Sequence, residues 1–162
     1  MIEQTSFPFR ESPQQVLSLD YYDGPLSGLA EYGDGAGVYQ FRLVSNPLEE
    51  PRFYALSPSP LKRLADLEAE LQVLGAPKRP VWNPIWKFVS KADESKAALA
   101  VDNATPDSDP IAIVVAQSIS RRPLYTCSLR DKRNLGVFQE LSSRTASIHE
   151  WEAFVRQCSE TE

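Results

Sequence analysis

VLSLDYYDGPLSGLAEYGDGAGVYQFRLVSNPLEEPRFYAL, residues Val16 to Leu56, decides the fold. Leu17, Leu19 and Tyr21 alternate with Ser18, Asp20 and Tyr22, the period of a strand. Asp23-Gly24-Pro25 then turns the chain, because glycine accepts positive φ and proline cannot donate to a ladder. Leu26 to Tyr32 reads as a second strand with a glycine, Gly28, inside it; such a glycine marks a bulge or a close approach. A three-residue loop at Asp23–Pro25 would set Tyr22 opposite Leu26 and Asp20 opposite Gly28, leaving open space beside Asp20. Val38 to Val44 is the cleanest strand, with Tyr39, Phe41 and Leu43 alternating with Gln40 and Arg42, and Arg52 to Leu56 is the fourth. The whole is an antiparallel meander over 16–56, with one apolar, aromatic face and one mixed face.

Around the meander the chain adds helices. Residues 1–15 form an irregular arm holding Pro8 and Pro13. Over 60–74, Leu61, Leu64, Leu67, Leu71 and Leu74 make one stripe, with Ser59 as N-cap, Pro60 in the first turn and Gly75 at the C-terminal cap. The stripe is expected to pack on the aromatic face of the meander. From Val81 to Val101 the pattern favours a helix opened by Asn83-Pro84 but leaves strands at 86–90 or 98–102 open, and 102–110 reads as a polar loop. Strands are expected at Ile111–Ile119, Leu124–Leu129 and Val137–Leu141. A last helix over 147–158 carries the capping box Ser147…Glu150 and one apolar face of Trp151, Phe154, Val155 and Cys158. Runs of strands segregated from helices indicate a single α+β domain spanning 1–162, a mainly antiparallel sheet packed by two or three helices.

Composition bounds the function. The formal net charge is −5 from 22 acids and 17 bases, with acidic ends and a mildly basic middle, which speaks against general electrostatic binding to nucleic acid or anionic membrane. No apolar run approaches the ~20 residues of a membrane span. The N-terminus lacks the charged and apolar regions of a secretory leader, and two cysteines, Cys127 and Cys158, do not resemble the disulfide framework of a small secreted domain. These features predict a cytoplasmic protein with reduced thiols.

Catalytic signatures are missing: no G-x-S-x-G elbow, no Walker loop, no G-x-G-x-x-G, no C-x-x-C and no H-E-x-x-H. The only histidine, His149, falls about 160° from the apolar face of its helix, pointing to solvent. No catalytic residue, metal ligand or cofactor is assigned. Candidate binding residues come from two basic–aromatic patches. In the first, Lys78-Arg79-Pro80-Val81-Trp82 runs into Trp86-Lys87-Phe88. Arg121, Arg122 and Arg130, followed by Lys132 and Arg133, surround Tyr125. Tryptophan and arginine together make protein hot spots or base-stacking platforms, although tryptophans commonly fill cores and flanking cations stay solvated. Asp20 and Tyr22 complete the set, Asp20 because it sits mid-strand.

The reading is a small acidic cytosolic non-enzymatic protein-interaction module (an adaptor, inhibitor or immunity-type factor) whose partner is another protein. One alternative is a carboxylate-dependent enzyme or cation-binding domain centred on Asp20 with Asp23 or Asp34. The other is nucleic-acid or phosphate binding by the basic middle.

Overall fold

The structure is a computed structural model and describes residues 7–33, 35–78 and 83–160, with the side chains of residues 159 and 160 left undescribed. Six strands run in chain order across one sheet: β1 (Gln15–Tyr21), β2 (Pro25–Tyr32), β3 (Gly37–Leu43), β4 (Arg52–Pro58), β5 (Ala112–Ala116) and β6 (Tyr125–Ser128). Every neighbouring pair is antiparallel. Four helices complete the α+β fold: α1 (Leu64–Val73), α2 (Glu94–Ala104), α3 (Lys132–Ser143) and α4 (Ile148–Glu160). Among the described residues no helix is long and apolar enough to cross a membrane.

All four helices lie on one face of the sheet. At the β1 end, Leu17, Leu29 and Val38 pack under α1 and α2, against Leu64, Leu67, Leu71, Ala97 and Val101. At the β6 end, Phe53, Ala55, Ile113, Val115 and Cys127 pack under α3 and α4, against Phe138, Leu141, Trp151, Phe154 and Val155. The register makes these one surface: Leu17 pairs with Leu29, Leu29 with Gln40, Gln40 with Ser57, and Ala55 stands two residues from Ser57.

The leucine stripe of α1 therefore does not meet the aromatic face. Tyr39 and Phe41 alternate with Val38 on β3, so placing Val38 under the helix sends the rings to the opposite side. There Val16, Ala30, Phe41, Tyr54, Leu56, Ala112 and Val114 form a third apolar cluster with Phe9 and Ile119. A short 3-10 turn, Pro8–Arg10, covers it instead of a helix. Phe9 is fully buried, its ring edge-on to Tyr32 at 5.1 Å and to Tyr39 at 4.8 Å, and the same turn touches β6. One three-residue turn reaches both β2–β3 and β6 because the sheet curls around it. Each edge-on ring pair adds about 0.5–1.5 kcal/mol beyond the area it buries.

Local chemistry sets the helix ends. α1 begins at Leu64 rather than after Ser59. Its N-terminal amide is capped from the neighbouring strand, where the Glu31 carboxylate accepts from the Leu64 N–H at 2.8 Å. Ser59 shapes the approach, its hydroxyl donating to the Ala104 carbonyl at 2.6 Å and accepting from the Leu61 N–H at 3.2 Å. The C-terminus follows the sequence reading: Gly75 has φ +108°, its N–H donates to Gln72 O, and the Ala76 N–H donates to Leu71 O. α4 opens on the expected capping box, with the Ser147 N–H donating to the Glu150 carboxylate at 2.9 Å and the Glu150 N–H donating to the Ser147 hydroxyl at 3.3 Å.

Three further expectations are corrected. Residues 137–141 are not a strand but part of α3, nucleated by Asp131, whose carboxylate accepts from the Arg133 N–H at 2.7 Å. Asn83-Pro84 opens no long helix; two 3-10 turns, Ile85–Lys87 and Lys91–Asp93, precede α2, which runs on to Ala104. The cysteines are not free thiols. The buried face of α4 sets Cys158 against Cys127 of β6 with Cα atoms 5.6 Å apart, and the two form a disulfide.

Candidate functional site

Asp20 does not face Gly28. A bulge between Ser18 and Asp20 shifts the register, so Gly28 pairs with Ser18, Asp20 with Ser27 and Tyr21 with Pro25. The space beside Gly28 is filled. A Cβ there would collide with the Leu17 carbonyl oxygen and stand 3.1 Å from the Phe41 ring, so glycine is present because β1 and Phe41 come close. The exposed Asp20 carboxylate accepts from the Tyr21 N–H at 3.0 Å, a local bond to its own backbone neighbour. Asp23 takes φ +53° in the turn, and Asp34 lies outside the described residues. Among the described residues no three acids, cysteines or histidines gather as metal ligands would.

Tyr22 is 55% exposed, and its carbonyl is held from within. Arg52, only 4% exposed, sends its guanidinium to four backbone carbonyls: Tyr22 at 3.0 Å, Asp23 at 3.1 Å, Pro47 at 3.1 Å and Pro25 at 3.4 Å. The Tyr54 hydroxyl donates to the same Pro25 carbonyl at 3.1 Å. Burial raises the phenol's pKa above its ordinary value, against the opposing pull of the nearby Arg52 charge. This cluster locks the β1–β2 turn to the segment before β4. It is a structural latch, and nothing in the spacing of Arg52 in the sequence announces it.

Of the first basic–aromatic patch, Trp86 lies in the Ile85–Lys87 turn, partly exposed beside Phe88, while Trp82 falls outside the described residues. The second patch divides. Arg121 and Arg122 precede β6 and Arg130 follows it, so β6 stands between them. Lys132 and Arg133 lie with Arg130, in the first turn of α3. The entry end of β6 gathers Arg121 and Arg122, both exposed, with Leu124 and Tyr125, 58% and 43% exposed. Tyr125 lines a small recess together with Phe53, Glu152, Val155 and Arg156.

A second feature has no counterpart in the sequence reading. The two helix pairs part over the middle of the sheet. Beneath the gap the helix-covered face turns polar at adjacent positions: Ser27 opposite Arg42, and Gln40 opposite Ser57. The loop after α2 arches over this floor, held by Gln40 Nε2 donating to Pro106 O at 2.6 Å and Ser57 Oγ donating to Ser108 O at 3.3 Å. A cleft of about 400 Å³ remains between floor and loop. In a linear chain these residues are ordinary polar members of alternating strands; only the placement of the helices makes them a floor.

Comparison with protein-family models, with curated proteins and with solved structures found no match.

Proposed function

We propose that the chain is a non-enzymatic protein-interaction module that engages an acidic surface of a partner protein through the entry end of β6. One observation carries this reading. Two consecutive large apolar side chains, Leu124 and Tyr125, stand exposed where the sheet ends, beside Arg121 and Arg122, which pair with no carboxylate among the described residues. An aromatic anchor, an aliphatic neighbour and unpaired arginines are the side chains that dominate protein interfaces. Unpaired surface cations favour a partner of opposite charge, through encounter rate and register more than raw affinity.

The cytoplasmic location expected from the sequence loses its thiol argument once Cys127 and Cys158 are joined, and the bond suits an oxidising compartment. Thiol trapping of the protein in its native cells reads the compartment directly.

The interaction is tested by affinity capture from those cells with the wild-type chain and with an R121E/R122E/L124S variant. A protein enriched by the wild type and lost at least tenfold with the variant supports the reading. A protein retained equally by both overturns it, as does recovery of nucleic acid alone.

A further inference from the structure

A sheet face covered by helices is normally apolar throughout. Here it is apolar under both helix pairs and polar between them, at Ser27, Gln40, Arg42 and Ser57. The polar residues coincide with the floor of the cleft, and the roof is pinned at Pro106 and Ser108 rather than hanging free. Two charges line this one space. Arg42 rises from β3 and Asp107 sits in the roof between the two pinned residues, both exposed. Neither has an ion-pair partner among the described residues, so they do not pair with each other across the cleft. An arginine on the floor and an aspartate in the roof of one polar cleft complement a ligand that carries both signs.

We propose that the cleft binds an α-amino acid in its zwitterionic form. Its carboxylate meets the Arg42 guanidinium, whose planar donors suit a carboxylate, and its ammonium group meets the Asp107 carboxylate. Ser27 of β2 and Ser57 of β4 add hydroxyls to the floor, polar groups of the kind that fix a ligand's orientation. The cleft volume falls within the ~300–1,000 Å³ range of small-molecule sites. This site lies over β2, β3 and β4, away from the entry end of β6, and it stands whether or not that end binds a protein.

The test is isothermal titration of the full chain with each of the twenty L-amino acids, each at up to 10 mM. At least one should bind. The best binder should weaken at least tenfold when its carboxylate is amidated, and again when its amine is acetylated. R42Q and D107N, both at exposed positions, should each weaken it at least tenfold with an unchanged melting temperature. Absence of binding by all twenty overturns the proposal. So does binding that survives either capped ligand, or binding unaffected by R42Q in a folded variant. The capped ligands decide the matter even where a variant fails to fold.

Discussion

The Glu31 carboxylate accepts from the Leu64 backbone N–H at 2.8 Å, so a side chain of β2 supplies the cap of α1. Its other oxygen accepts from Arg63 Nε at 3.2 Å. Glu31 is buried while the Arg63 side chain is 69% exposed, so the two bonds are unequal: the cap is protected and the ion pair is screened by water. Glu31→Gln keeps an acceptor and should cost less than Glu31→Ala, which should lose about 1–3 kcal/mol in urea denaturation. Arg63→Ala should cost under about 1 kcal/mol. Equal losses for Glu31→Ala and Arg63→Ala would assign the stabilisation to the pair rather than to the cap.

Arg52 should be the costliest polar side chain to remove. Truncation to alanine strips four carbonyls of a donor in a buried turn, and each carbonyl that water cannot reach adds to a loss of about 3 kcal/mol or more. Arg52→Lys keeps the charge but not the planar fork and should recover only part of that loss. Full stability in the lysine variant would show that charge alone holds the turn.

The meander, the leucine-striped helix with its glycine cap and the Ser147–Glu150 box were all legible, because each rests on neighbours within one or two turns of chain. The segment at 137–141 was misread because so short an apolar run fits either period, while its true signal, Asp131 as N-cap, sat six residues upstream in what looked like a charge patch. The cap of α1 and the Arg52 latch join residues about thirty apart in sequence. The cleft was invisible for a related reason: Ser27, Gln40, Arg42 and Ser57 acquire meaning only from where two helix pairs stop.

The Cys127–Cys158 disulfide ties the last strand to the last helix across 31 residues of sequence. Removing it, by reduction or in a C127S/C158S variant, should lower stability by about 2–4 kcal/mol. The loss should appear first as exchange of amides in β6 and α4. A reduced protein with unchanged denaturation midpoint would show that apolar packing around Trp151 suffices without the bond.

Acid should loosen the start of α4. The Ser147 backbone N–H first, and the Arg144 guanidinium second, hold the exposed Glu150 carboxyl below its ordinary pKa. A pKa lower in the folded state than in the unfolded one means the contribution is present above the ordinary carboxylate range. It is lost as pH falls through the folded value. Glu150→Gln should lower the melting temperature slightly at neutral pH and flatten its decline in acid. Parallel acid limbs for the two proteins would remove Glu150 from the pH response.

The chain-order sheet also governs how the molecule is assembled in time. Within β1 to β4, and again from β5 to β6, each ladder joins strands adjacent in sequence, but the β4–β5 ladder must close across both α1 and α2. Its loop is the longest and its entropic cost the greatest, so hairpins form ahead of it. Until it closes, β4 and β5 are bare edges. Each carries a fully apolar run, Phe53 to Leu56 and Ala112 to Ala116. A nascent chain stalled at that moment presents two sticky strands to its neighbours, and the seam that completes the native sheet is the place where self-association during synthesis would begin.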